Sequence, residues 1–173
     1  MNETMKTLKD RYSAKSYTSE QVPNNLLDAV LEAGLYAPSG MNNQKVICVA
    51  VREKKTRDLL SQMNARVMGA KSDPFYGAPC VIVVLSDPER STWVEDGSLV
   101  MGNLMNAAHS LGLGSCWIHR AKEMFDTPEG KKLLVQWGIP EHYRGIGNCI
   151  LGYSQGEPVR KPRAENRIIK VDE

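Results

Sequence analysis

Three polar clusters in this sequence could do chemistry. The first is Arg11-Tyr12-Ser13-Ala14-Lys15. On an extended backbone alternate side chains share a face, so Arg11, Ser13 and Lys15 would point the same way. Arginine binds an oxyanion through two nitrogens and a hydroxyl adds a further donor, which makes this pattern a phosphate cradle. The second cluster, Lys161-Pro162-Arg163, repeats the alternation of cations. Such alternation is commoner on a solvated basic surface than at a phosphate site, and the two clusters lie far apart in sequence. The third is Ala37-Pro38-Ser39-Gly40-Met41-Asn42-Asn43-Gln44. Pro38 and Gly40 make a turn, while Ser39, Asn42 and Gln44 offer uncharged donors and acceptors suited to the edge of a neutral heteroaromatic ring. A polar turn that stops a helix accounts for the same residues.

Other chemistries lack their signatures. Gly112 and Gly114 do not complete a dinucleotide fingerprint, and no Walker loop, HExxH or GxSxG occurs. The three histidines, His109, His119 and His142, show no metal-ligand spacing, so no metal is expected. His109 falls in an apolar stretch and reads as a packed structural residue, and His142 reads as solvated. Four cysteines, Cys48, Cys80, Cys116 and Cys149, form no CxxC pair and each sits among apolar neighbours. They read as buried free thiols of strands in a reducing compartment. Lysine plus arginine is 22 against 20 acidic residues, a net +2, without the basic excess of a nucleic-acid binder. The N-terminus has no apolar signal core, and the longest apolar runs, Val46–Val51 and Cys80–Leu85, are far short of the roughly 20 residues that span a bilayer. A cytoplasmic protein with no membrane or nucleic-acid partner is the expectation.

The elements that must position these clusters can be read from period and breakers. The 173 residues suit one domain, residues 1–173, with an extended, basic C-terminal tail from about Glu157. Helices are expected over 3–10, over Asn25–Tyr36 with Asn24 as cap, over Lys54–Met68, over Thr92–Leu111 and over Pro128–Trp137. Strands are expected over Lys45–Val51, Val81–Leu85, Ser115–Ile118 and Ile146–Tyr153. The run Val81–Leu85 follows the Gly77–Pro79 breaker, and its unbroken apolarity predicts burial on both faces. The long helix is apolar on more than one face and carries Gly97 and Gly102, which predicts close packing on another helix or a ligand. Strands alternating with helices place the chain in the α/β or α+β class, as three layers around a central sheet.

Taken in order, these segments resemble the FMN-dependent nitroreductase family over nearly the whole chain. The likeness rests on Arg11, Ser13 and Lys15; on Ala37-Pro38-Ser39 with Asn42 and Gln44; on Gly77-Ala78-Pro79 opening a strand; on Gly112-Leu-Gly114-Ser-Cys116-Trp117; and on Leu151-Gly152-Tyr153 followed by Lys161 and Arg163. The resemblance implies an α+β, three-layer α/β/α sandwich with a mixed sheet, homodimeric, with FMN at the subunit interface and Thr92–Leu111 as an interface helix. It implies that Arg11 and Ser13, joined by Lys161 or Arg163, hold the FMN phosphate. Lys15 lies nearer the N1–C2=O edge of the flavin and favours its anionic reduced form. Pro38, Ser39 and Gly40 line the ring or ribityl chain, and Asn42 and Gln44 contact the flavin, across the interface. Trp117, Ile118 and His119 match the backbone that meets the N5 region.

The implied activity is an oxidoreductase in which NADH or NADPH gives hydride to flavin N5 and a nitroaromatic, quinone or similar small acceptor takes two electrons. The alternative is a protein that binds or remodels flavin with little reductase activity. This chain departs from the family's better-known pattern in two places. Lys45 and Val46 replace a Pro-Trp pair, and His119 and Arg120 replace Glu-Gly. Those departures leave His119 open as a proton donor, a flavin-facing group or a structural one. The stretch between Asp87 and the long helix is short, where larger members insert covering helices, which predicts an open flavin face.

Overall fold

The computed structural model describes residues 1–158 and 160–171. Val159, Asp172 and Glu173 of the expected tail lie outside the described residues. The elements in order are α1 (Glu3–Asp10), α2 (Asn24–Leu35), β1 (Val46–Val51), α3 (Lys54–Met68), β2 (Cys80–Ser86), α4 (Trp93–Ser110), β3 (Gly114–Ile118), α5 (Ala121–Asp126), α6 (Pro128–Gln136) and β4 (Arg144–Gly152). The strands form one sheet in the order β1-β2-β4-β3. Every pairing is antiparallel. The expected mixed sheet is met only by an isolated parallel bridge between Ser13 and Ser115 at the β3 edge.

β2 is buried along its whole length, as its unbroken apolarity predicts. Its side chains alternate between two cores. Val81, Val83 and Leu85 face a core with Leu60 and Met63 of α3, Met124 and Phe125 of α5, and Leu133 and Leu134 of α6. Cys80, Ile82 and Val84 face the other, with Leu27 and Val30 of α2 and Val100, Met101 and Leu104 of α4. The molecule is thus three-layered, with helices covering both faces of the sheet. No helix among the described residues is long and apolar enough to cross a membrane.

Local chemistry sets the helix ends. Glu53 caps α3 by accepting from the N–H groups of Lys55 and Thr56, and Gly69 ends it in the left-handed conformation. Thr127 caps α6, accepting from Gly130, with Pro128 at the first turn. Asn24 is not the cap of α2, as its side chain suggested. It enters the helix as the first residue, and Pro23 holds the cap position, its carbonyl accepting from Leu27 N–H at 3.0 Å. Gly97 of α4 packs on a strand rather than on a helix: an added Cβ would lie 2.4 Å from the Ile146 side chain. Gly102, by contrast, faces open space.

Helix α5 is not among the elements that period and breakers predict. It is one and a half turns long, too short for a periodic signal. It sits directly on β4, where Gly145 has the backbone of Ala121 as its neighbour: a Cβ there would come within 2.3 Å of the Ala121 carbonyl. That contact fixes the chain just after the end of β3. Gly145→Ala is therefore expected to destabilise the fold by about 1–3 kcal/mol, through overpacking against backbone that cannot yield as a side chain does. Urea denaturation checks this; an unchanged midpoint would show that α5 is free to move off the sheet.

Candidate functional site

The first polar cluster becomes a strap laid along the sheet edge. Ala14 N–H donates to Ser115 at 3.0 Å, Thr18 N–H to Tyr153 at 2.9 Å, and Gln155 N–H to Ser16 at 2.9 Å. Ala14 and Tyr17 turn inward and are buried, and the Tyr17 hydroxyl donates to the Ala14 carbonyl at 2.9 Å. Close approach of the strap requires Gly114, whose Cβ would lie 2.7 Å from that of Ser154 and 3.0 Å from that of Ala14. With Ala14 facing the core, Ser13 and Lys15 are left on the outer side.

The tail crosses back to meet this strap. Arg160 donates to the Asp10 carbonyl at 2.8 Å and lies over the Tyr12 ring at 5.9 Å, while the Tyr12 hydroxyl pairs with Ser154 at 2.8 Å. Together strap and tail enclose a cavity of about 760 Å³, lined among others by Arg11, Ser13, Lys15, Lys161 and Arg163. Lys9 and Arg160 add to its cations, and Glu157 is the carboxylate in its lining. Arg11 contributes to that lining, and its Nη1 atom is shielded from solvent with no hydrogen-bond partner among the described residues. Nearby, burial and the charges of Arg160 and Arg11 hold His109 below the usual histidine range, against the opposing pull of Asp10. His109 meets the Tyr12 ring edge-on at 6.3 Å.

A second cavity of about 410 Å³ shares Ser13 and Lys15 with the first. It lies at the end of β3 and is lined there by Cys116, Trp117, Ile118, His119 and Arg120. Burial pushes the Cys116 thiol up, against a hydrogen bond from Ser13 and the charge of Lys15. Arg120 stands in the left-handed region, φ 77°, which residues other than glycine rarely adopt. Asn64 of α3, fully buried, holds this turn: its amide N–H donates to the His119 carbonyl at 2.7 Å, and its oxygen accepts from Arg120 Nε at 3.1 Å. The His119 ring is exposed and has no hydrogen-bond partner among the described residues. The opposite wall is the loop around Asp73, whose carboxylate accepts from Arg57 at 2.7 Å, Gly77 N–H at 2.8 Å and Phe75 N–H at 2.9 Å, and from the Ser61 hydroxyl. Burial works against ionisation of Asp73, but these donors outweigh it and hold the carboxyl below the usual range.

The third cluster stands apart: Pro38, Ser39, Gly40, Asn42 and Gln44 line neither cavity of their own chain. They form a strained loop around a short 3-10 turn, Gly40–Asn42. Met41, Asn42 and Gln44 all have φ near 52°, a conformation costly for residues other than glycine. Asp96, in the first turn of α4, offsets that cost. Only 4% exposed, it accepts from Gly40 N–H at 2.8 Å, from Asn43 at 3.0 Å and from the Thr92 hydroxyl at 3.1 Å. The Ser39 hydroxyl accepts from Gln44 N–H at 3.1 Å, and Gln44 donates to Asn42 at 3.1 Å. Asp96 and Asn64 are the residues that sequence reasoning missed. An acid in a first helical turn reads as a favourable helix-dipole contact, and a lone asparagine in a helix as surface. The fold also gathers Asp87, Glu89 and His142, with ligand atoms within 4.8 Å of one another, a grouping invisible in their spacing. Asp87 is already paired there, with His142 at 3.5 Å and Lys45 at 3.8 Å.

Comparison with known proteins gives a consistent result. Residues 8–153 match the model of the Nitroreductase family. A protein of Archaeoglobus fulgidus, provisionally named NADH dehydrogenase/NAD(P)H nitroreductase, is 31% identical over 163 residues, 91% of this chain and 88% of its own length. A Bacillus subtilis protein named FMN reductase (NAD(P)H) is 25% identical over 196 residues, 100% of this chain and 74% of its own length. Among solved structures, a nitroreductase with bound FMN from Bacteroides fragilis is 30% identical and superposes with a TM-score of 0.91 over 100% of both chains. Another with bound FMN, from Desulfitobacterium hafniense, is 28% identical with a TM-score of 0.88, covering 99% of this chain and 100% of that one.

The Asp96 anchor yields a signed pH dependence. Burial disfavours its charge, but the Gly40, Asn43 and Thr92 donors outweigh burial and lower the pKa. Its contribution is therefore fully present above the ordinary carboxylate pKa of about 3.9 and is lost as pH falls through the lowered folded value. Asp96→Asn is expected to cost about 1–3 kcal/mol at pH 7. The gap from the parent should narrow below about pH 4. Urea midpoints across this pH range check both, and a gap that stays constant would remove Asp96 as a charged anchor.

Proposed function

The chain belongs to the nitroreductase family, and as an FMN-dependent oxidoreductase of that family, we propose, it takes electrons from NADH or NADPH and passes them in pairs to a nitroaromatic, quinone or similar small acceptor. The observation that carries this reading is the cavity crowded with cations, to whose lining Arg11 contributes while its Nη1 is buried without a partner among the described residues. A guanidinium N–H without an acceptor is costly, and a phosphate supplies the missing acceptor with matching charge and bidentate geometry.

The residues fit FMN along its length. Arg11 and Ser13, with Lys161 and Arg163 from the tail, would hold the phosphate. Lys15 belongs to both cavities and so stands between the phosphate end and the ring end, where its charge favours a negatively charged ring edge. Trp117, Ile118 and His119 would flank the ring, with exposed His119 the candidate proton donor. When bound, FMN supplies the two-electron relay between nucleotide and acceptor. The chain's own part is to bind the phosphate, orient the ring and set the charge around it.

The loop with Pro38, Ser39, Gly40, Asn42 and Gln44 would complete the site from a second copy. Its absence from the linings of both cavities of its own chain supports this, as does apolar surface nearby. Leu35, Tyr36 and Met41 are exposed beside it, and α4 exposes Val94 and Leu99. Open space at Gly102 gives a partner room to approach α4 closely. A homodimer with FMN at the interface satisfies all of these features.

Two measurements test the proposal. Anaerobic NADH or NADPH is expected to bleach the visible absorbance of the FMN-loaded protein; persistence of the colour would reduce the role to flavin binding. Arg11→Ala is expected to weaken FMN binding about 10- to 100-fold, one charged hydrogen bond lost. Equilibrium dialysis reads this, and an unchanged affinity would remove Arg11 from the phosphate site.

A further inference from the structure

Resting on the reading above, we propose that Arg120 forms an oxyanion subsite at the ring end of the second cavity, which selects a reactant carrying a carboxylate or phosphate. Its backbone is held at φ 77°, which glycine adopts freely and arginine only at a cost. A dedicated device holds it there. Asn64, fully buried, commits its amide N–H to the His119 carbonyl and its oxygen to Arg120 Nε. This anchors the guanidinium at one nitrogen and leaves Nη1 and Nη2 as a planar fork, the geometry that binds a carboxylate or phosphate through two parallel hydrogen bonds.

No intramolecular partner among the described residues uses that fork. Arg120 takes part in no ion pair among the described residues. The acid on the facing wall, Asp73, is committed to Arg57, Ser61 and two backbone N–H groups. Nor does the FMN phosphate claim it, because Arg120 lines only the second cavity while Arg11, Lys161 and Arg163 line the first. Lys15 shares the lining with Arg120, so the local field also favours an anion.

Two reactants could bring the oxyanion: an acceptor with a carboxylate, or the nucleotide through the 2′-phosphate that separates NADPH from NADH. The experiment distinguishes them. On FMN-loaded protein, kcat/KM is measured for 4-nitrobenzoate against the isosteric 4-nitrobenzamide with NADH, and for NADPH against NADH with the neutral amide. Dissociation constants of both acceptors for the oxidised protein, read from the perturbed flavin absorbance, give a readout independent of turnover. At least one preference for the anion is expected to reach tenfold in the parent and to fall at least tenfold in Arg120→Gln. Arg120→Lys should recover only part of it, because a point charge replaces the fork. A fall in the acceptor ratio assigns the subsite to a carboxylate; a fall in the nucleotide ratio assigns it to the 2′-phosphate. Parent protein that binds FMN and is reduced, yet shows neither preference, overturns the subsite and leaves the oxidoreductase standing; this arm needs no variant. Preferences that survive Arg120→Gln overturn it equally. Parent protein that cannot hold FMN overturns both readings.

Discussion

A guanidinium nitrogen kept from water without an acceptor is the constraint on which the rest of this structure turns. Among the described residues Arg11 Nη1 is in that state, and the surroundings make it worse rather than better, since Lys9, Lys15, Arg160, Lys161 and Arg163 line the cavity to which Arg11 contributes. So many like charges repel one another, and the fold tolerates them because the strap is held by other means. Ala14 and Tyr17 are buried, backbone bonds tie residues 14–18 to the edge of β3 and to residues 153–155, and Gly114 allows the close approach. The apolar side of the strap supplies the attachment, which leaves its polar side free to carry charges that the fold itself does not pair.

From that strap the remaining parts follow in sequence along the chain. Ser13 and Lys15 carry the candidate site from the cation-lined cavity into the one at the end of β3. There a single buried asparagine, Asn64, and the contact of α5 with Gly145 hold the turn at His119 and Arg120. On the other face of the sheet Asp96 holds the strained loop of residues 39–44. Both devices use the same physics. A buried polar side chain, fully satisfied by a turn, forces residues other than glycine into the left-handed region and so fixes where their side chains project.

Much of this is legible in the amino-acid sequence. α1 and α3 keep the bounds that their patterns predict, and β2 is buried throughout, as its unbroken apolar run requires. The strap's alternation is visible in Arg11, Ser13 and Lys15. What spacing does not show is that Lys161 and Arg163 return to the same cavity, because that depends on how the tail crosses the sheet edge. Asp96 is hidden for the same reason, as it meets Gly40 across more than fifty residues. Helix α5 is too short for a period, and the left-handed turn at Arg120 carries no glycine to announce it. Asp87, Glu89 and His142 likewise meet only in space.

On the proposed function, the cation cavity recognises a phosphate and thereby selects the flavin. The comparison of FMN with riboflavin tests this most directly, because the two share the ring and ribityl chain and differ only in that group. Dissociation constants measured by equilibrium dialysis at fixed ionic strength are predicted to favour FMN by at least about 100-fold, the worth of two charged hydrogen bonds or more. Equal affinities would show that Arg11 and its neighbouring cations have no part in holding the flavin.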